Sequence, residues 1–522
     1  MEPFRQVCSG WVGYKSRRNG LEASARMVSN NLRFSLSRRG EGVAMLSISG
    51  LPAQACNGVT RRTMLQASGA GLMGLTLPRV LAAEQSGLTY PVKAKSVIFL
   101  FLFGGPSQFE TFDMKPEANS DYRGPFRPIR SRTPGLKICE HLPRLAEVSD
   151  KYRVIRSMTH SFNDHSGAGH YIQTGHRWHI PIGGGFSATR DDWPSMGSVV
   201  DFLMQQRSQT VANKAPNYTV VPNRLGRLQE SGQYVRPGEY AGWLGQAYNA
   251  LTTRVDRRDE QDNPYWRACT EAELACRIEG LDPPTEVQLE RIKRRVSLLD
   301  QFDQQRRIID RSDAGDLDRI RDRALSLVTS SATREALDLS REPSKVRDQY
   351  GRHLFGQATL MARRLVEAGT RFVTVHYDCC DGYSWDSHRN SDDVKKHLLP
   401  TFDDALAGLL VDLDERGMLD ETLVVAIGEM GRTPKANATW GRGHWSTLFP
   451  AVVAGAGIPG GTLYGASDKD GAYPIENATS PEDLAATIYY AMGIDPETQL
   501  VMADGRPVPL VSDGEILSGL FA

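Results

Sequence analysis

Neither sign of charge is in excess in this chain: Lys plus Arg and Asp plus Glu each number 62. That balance removes any global field drawing it toward nucleic acid or an anionic membrane surface. No apolar run approaches the ~20 residues that a membrane-spanning helix needs. A mean hydropathy of −0.39 with 40% hydrophobic residues describes a soluble globular chain. Cysteine is scarce. The seven present (Cys8, Cys56, Cys139, Cys269, Cys276, Cys379, Cys380) lack zinc-ribbon spacing, and an odd number cannot all pair internally. Cys269 and Cys276 are read either as a bridge formed after export or as two free thiols.

What is present begins with a leader. Thr60-Arg61-Arg62-Thr63-Met64-Leu65-Gln66 is a twin-arginine core, followed by the apolar stretch 67–77 and a small-residue cleavage region at 78–83. Charge, apolar length and cleavage region in that order predict export by the twin-arginine route to the periplasm or beyond. Residues 1–83 are therefore expected to be an N-terminal extension with its signal peptide, and 84–522 the folded domain. Residues 1–44 are basic and Ser-rich without periodicity, and Met45 is expected to lie nearer the true start.

The mature region alternates strand and helix signals. The continuous apolar run 95–103, closed by Gly104-Gly105-Pro106-Ser107, predicts a parallel strand buried on both faces. Residues 371–377 and 422–427 give equally strong strands, and 153–156 and 218–221 weaker ones. In 448–454, Pro450 predicts an edge or bulged strand. Helices are expected over 347–368 and 392–416, each followed by glycine, and after Ser480-Pro481. The expected fold is α/β: a mostly parallel sheet with helices on both faces. Dense mixed charge around 283–340 predicts a helical insertion, either a solvated hairpin or a lid.

Three blocks concentrate donor groups: Trp385-Asp386-Ser387-His388, Gly428-Glu429-Met430-Gly431-Arg432-Thr433-Pro434 and Gly441-Arg442-Gly443-His444-Trp445. Loops at the carboxyl ends of parallel strands are where ligands and metals collect. Two carboxylates and two imidazoles from such loops predict a metal site of Asp386, His388, Glu429 and His444. Arg432 and Lys435 are read either as clamps for an anionic oxygen or as local charge balance. Trp385, Trp440 and Trp445 are read as pocket walls or as plain packing.

From about residue 95 to 471 the motifs FGGPSQFETFDMKP, TGH, WDSH, GEMGRTPK and GRGHW resemble domain-of-unknown-function family 1501, a family of Tat-exported bacterial proteins. That family is similar in turn to the alkaline phosphatase and sulfatase superfamily. The resemblance implies an alkaline-phosphatase-like core and hydrolysis of phosphate or sulfate esters, polysaccharides included, through divalent metal ions (Zn, Ca or Mg). It implies that Asp386, His388 and His444 hold one ion. A second ion would need an aspartate where Gly104-Gly105 stand and a ligand where Met430 stands, with Asp113 as a candidate substitute. The family position of the nucleophile falls on His165, nine residues before Thr174, and a one-residue shift makes it Ser166. His165 is read as a phosphoryl acceptor, a third metal ligand or a helix cap. Two functions follow: a metal-dependent hydrolase of phosphate or sulfate esters, or a non-catalytic, metal-stabilised binding or scaffold protein of the envelope.

Overall fold

The computed structural model describes residues 33–38, 44–49, 90–181, 187–207, 215–222, 227–229, 232–234, 236–253, 258–259, 262–274, 330–377, 385–502 and 504–522. The twin-arginine segment, most of the expected helical insertion, Cys276, Cys379 and Cys380 lie outside them. The chain divides into two compact units, Met1–Ala82 and Ala83–Ala522. In the first, Arg33–Arg38 pairs antiparallel with Ala44–Ser49, with Phe34 opposite Ile48 and Leu36 opposite Leu46. Against the expectation that residues 1–44 lack periodicity, RFSLSR alternates apolar and polar residues, a period-two signal.

The second unit is built on an eight-stranded sheet. In chain order its strands are β1 (Ser96–Phe101), β2 (Arg153–Met158), β3 (Tyr218–Val221), β4 (Leu251–Thr252), β5 (Phe372–His376), β6 (Thr422–Ile427), β7 (Phe449–Ala454) and β8 (Thr462–Tyr464). Across the sheet the order is β4-β3-β5-β1-β6-β7-β2-β8. All run parallel except β7, which is antiparallel to both β6 and β2. The register of β7 shifts between Phe449 and Ala451. Pro450, with no N–H to give a ladder, accounts for the bulge. The expected bulge is there, but β7 is an interior strand rather than an edge.

Every residue of β1 and β6 is buried, as continuous apolar runs require. Alternate side chains feed two cores. Ile98, Leu100, Val373, Val375, Val424 and Ala426 pack with α3 (Leu354–Glu367) and α4 (Leu399–Glu415). Val97, Phe99, Phe101, Val425 and Ile427 pack on the other side with α2 (Met196–Arg207), α5 (Pro481–Ala491) and Ile172 of α1 (His165–Thr174). The sheet is covered on both faces, as expected.

Two expected helices are interrupted. The first breaks at Gly351, whose φ of +82° suits glycine, and restarts at Leu354 with the His353 ring accepting from the Gly356 N–H. The second opens as a wider turn, Val394–Leu398, before α4. Pro400 has no N–H for the carbonyl of residue 396 and its ring crowds that carbonyl, which the wider turn accommodates. The start of α5 is as read: Ser480 and Asp483 form a capping box with Pro481 in the first turn.

Candidate functional site

Parallel strands place the residues that follow them on one edge of the sheet. Gly104 and Gly105 follow β1, His160 to His165 follow β2, Trp385 to His388 follow β5, and Glu429 follows β6. His444 arrives differently. It precedes β7, and because β7 runs the opposite way its leading end lies at the same edge. The expectation that each donor block follows its strand fails for His444, and strand direction is the reason.

Asp386 is the hub. Its Oδ1 lies 3.0 Å from His388 Nε2, 3.2 Å from His444 Nε2 and 2.6 Å from Arg432 Nη2. Its Oδ2 lies 3.2 Å from His165 Nε2. The two ring nitrogens Nε2 of His388 and His444 are 2.9 Å apart. His165, Asp386 and His444 each offer a ligand atom within 4.8 Å of the others, a spacing that can hold a metal ion. Segment 385–388 is not an open strand: Ser387 N donates to Trp385 O and His388 N to Asp386 O, consecutive three-residue turns that leave residues 386 and 388 on one side. The loop ending at His444 is strapped against this segment. The Arg442 N–H donates to Ser387 O, and a Cβ on Gly441 would stand 2.0 Å from His388 O, so only glycine fits there.

Glu429 sits behind the hub, wholly buried, outside that group of three. The Gly104 N–H donates to both its carboxylate oxygens, at 2.9 and 3.0 Å. Its Oε1 lies 2.6 Å from His165 Nδ1. Glu429, expected as a further ligand or as general base, contacts the cluster through His165 Nδ1. His160 fixes Glu429 from its backbone: Nδ1 accepts from the Phe162 N–H, so Nε2 carries the hydrogen it donates to Glu429 O at 2.7 Å. His444 Nδ1 faces Asn163 O at 2.7 Å, and Asn163 Oδ1 accepts from the Ser446 N–H. Asn163 and Gly104 act through backbone groups, and His160 through a tautomer, so their residue types do not reveal these contacts.

Burial alone would lower the pKa of His165, but hydrogen bonds to Asp386 and Glu429 outweigh it and raise the value. Burial would raise that of Asp386, yet hydrogen bonds from His165, His388 and His444 hold it far below the usual carboxylate range. Glu429 is likewise lowered against its burial, by His165. Both carboxylates are therefore charged, and they face a cluster of imidazoles.

Arg432 is fully buried and turned inward. Its Nε donates to Gly105 O at 2.9 Å, its Nη1 to Arg442 O at 3.3 Å, and its Nη2 to both Gly104 O and Asp386 Oδ1. Of the two readings, charge balance describes this geometry and an anion clamp does not. Ser166, the second residue of α1, is 1% exposed. The N-terminus of α1 is capped by Asp164, whose carboxylate accepts from the Gly167 N–H. Asp113 belongs elsewhere, paired with Lys115 at 3.0 Å and hydrogen-bonded by Ser467. Lys435 lies 3.7 Å from Asp121. Trp385 is buried edge-on to Tyr377 and Phe402, a core residue rather than a pocket wall. Cys269 is a free thiol.

No curated protein matches the chain. Among solved structures it is similar to the PsFucS1 sulfatase from Pseudoalteromonas sp., at 13% identity and a TM-score of 0.37, covering 89% of this chain and 77% of that one. It is similar to the phosphonate monoester hydrolase SpPMH from Silicibacter pomeroyi at 12% identity and a TM-score of 0.31, covering 82% and 76%. It is also similar to the lipoteichoic acid synthase LtaP from Listeria monocytogenes at 9% identity and a TM-score of 0.31, covering 83% and 80%. The family model described as "Protein of unknown function (DUF1501)" matches residues 94–521, and the chain belongs to that family.

Proposed function

We propose that the chain is an exported, metal-dependent hydrolase of phosphate or sulfate esters, polysaccharide esters among them. Its divalent ion would be held by Asp386, His388, His444 and His165. One observation carries the metal: ring nitrogens converge on one carboxylate while their far nitrogens are tied down behind them. His444 Nδ1 faces a carbonyl oxygen, which only accepts, so Nδ1 bears a hydrogen, and in the neutral ring Nε2 would present its lone pair toward Asp386. His165 Nδ1 faces a carboxylate in the same way. A cation between the neutral rings and the carboxylate would be gripped by both; without it the rings face Asp386 as hydrogen-bond donors. Donors placed 2.0–2.1 Å from a tetrahedral ion stand about 3.3 Å from one another, and the separations around Asp386 run from 2.9 to 3.2 Å. An imidazole-rich set with one carboxylate suits zinc better than calcium or magnesium.

A divalent ion bound there would polarise an ester oxygen and acidify a water molecule. The chain's own groups do the rest. Glu429 orients His165 through Nδ1, the carboxylate–imidazole arrangement that recurs behind metal-bound histidines. Asn163 does the same for His444 through its carbonyl. His388, 47% exposed, is the open side through which a substrate would approach. His165 acts as a ligand rather than a phosphoryl acceptor, because both its nitrogens are engaged. The twin-arginine core at Arg61-Arg62 supports export.

A second reading is the metal-stabilised, non-catalytic scaffold of the envelope. It is favoured by Asp164, which places a carboxylate at the N-terminus of α1 where an ester anion would otherwise find free N–H groups. Metal content and turnover of aryl phosphate and aryl sulfate esters separate the two. Retained zinc with turnover, both lost in Asp386→Asn, is the hydrolase result. Retained zinc without turnover is the scaffold, and a purified chain that takes up no divalent ion excludes both.

A further inference from the structure

A buried carboxylate, Glu429, and a partly buried one, Asp386, flank His165, and such a pair can in principle hold two ions. The oxygen atoms around them decide the number. Asp386 Oδ1 is shared between the two imidazoles His388 and His444 and the Arg432 guanidinium, which approaches to 2.6 Å. Both oxygens of Glu429 accept from the Gly104 N–H. The remaining acceptors on that side, the carbonyls of Gly104 and Gly105, each receive Arg432. Arg432 thus fills the position beside Asp386 that a second ion would need.

The guanidinium is held there by construction. Arg432 stands opposite His444 in a two-residue antiparallel ladder, so the ligand and the fixed cation project together. The Gln108 side chain grips the Arg432 backbone in both directions, accepting from its N–H at 3.0 Å and donating to its carbonyl at 2.9 Å. Gly104 and Gly105 adopt φ of +107° and +77°, which turns their carbonyls to the guanidinium, and a Cβ on Gly105 would stand 2.5 Å from Met430 O. Charge agrees with the geometry. Asp386, Glu429 and Arg432 sum to one negative charge, so one divalent ion with neutral imidazoles leaves a single positive charge to attract an ester anion. Two ions would leave three positive charges in a largely buried site.

We infer that Arg432 is a built-in cation occupying the place of a second metal, and that the centre takes one divalent ion per chain. This rests on the metal reading above. The test is a count. The full chain is stripped with chelator and dialysed against zinc or manganese up to millimolar concentration, and bound metal per chain is measured by plasma mass spectrometry. Wild type should saturate at one equivalent, as should Arg432→Lys. Arg432→Ala, shown folded by circular dichroism, should take up a second, weaker equivalent through the oxygens the guanidinium vacates. Two equivalents in wild type overturn this inference and leave the metal reading standing. No bound ion overturns both. A folded Arg432→Ala that stays at one equivalent overturns the guanidinium as occupant. Should that variant not fold, the wild-type count alone decides.

Discussion

At the scale of single residues, the centre separates groups that would grip an ion from groups that aim them. Asp386→Asn and His444→Ala each remove a proposed ligand, and we expect at least a 100-fold loss of zinc affinity, read by competition with a chromophoric chelator. Glu429→Gln retains the shape and one acceptor oxygen for His165, so the loss should be smaller, about 10- to 100-fold. Equal losses in all three variants would place Glu429 among the ligands. Ser166→Ala should leave both zinc affinity and any ester turnover within about twofold, because the hydroxyl belongs to a buried residue of α1. Asp386, His388 and His444 were legible in the sequence because compact motifs set them apart. His160, Asn163 and Gly104 were not. They act through a backbone carbonyl, a backbone N–H or a tautomer fixed by a neighbour, and none of these leaves a residue-type signature.

At the scale of elements, α3 and α4 are joined by a buried charge network rather than by apolar contact alone. Arg363, with no exposed surface, lies 2.8 Å from Glu342, 2.9 Å from Asp412 and 2.6 Å from Glu367. Tyr350 donates to Asp412 at 2.8 Å. Arg363→Ala removes the cation these carboxylates share, but Arg364 still pairs with Glu342 and Arg416 with Asp412. The cost should therefore fall below the ~3–5 kcal/mol of a buried charge left alone, seen as a lower urea midpoint. Acid should also loosen α3. Burial pushes the pKa of His353 down to about 3, while in the unfolded chain it titrates at about 6.5. Between those values the unfolded chain binds the extra proton, so stability is complete above pH ~6.5 and falls as pH drops toward 3. The slope from this residue is at most about 1.4 kcal/mol per pH unit. His353→Asn keeps a side-chain acceptor for the Gly356 N–H and should flatten this part of the urea-midpoint profile; an unchanged slope would assign the acid sensitivity elsewhere. Strands β1, β5 and β6 were readable because burial on both faces demands unbroken apolar runs. The interruptions at Gly351 and before Pro400 were not, because helical periodicity continues across both.

At the scale of the whole molecule, an ion held as proposed would join loops that follow β2 and β5 and the loop between β6 and β7, so binding it should stabilise the folded domain as a unit. Zinc at about 100 times its dissociation constant adds about 2.7 kcal/mol. The melting temperature of chelator-treated protein should rise on zinc addition, and His444→Ala should abolish that rise. Export belongs to this scale too. Replacing Arg61 and Arg62 with lysine should retain the chain in the cytoplasm, as fractionation and blotting would report; unchanged export would remove the twin-arginine reading. The class of fold was visible in the alternation of strand and helix signals. The reversed strand between β6 and β2 was not, because sheet order is decided by contacts between segments remote in sequence.

That reversal makes residues 422–454 an arch of two adjacent strands, anchored from outside by Gln108, Gly104 and Ser387. One strand climbs, a crown carries Glu429, Arg432 and His444 over the rim, and one strand descends beside the first. The crossover helices take no part in it. Changes in the crown that keep its contacts to Gln108 and Ser387 would therefore retune the proposed centre while the sheet beneath keeps its register.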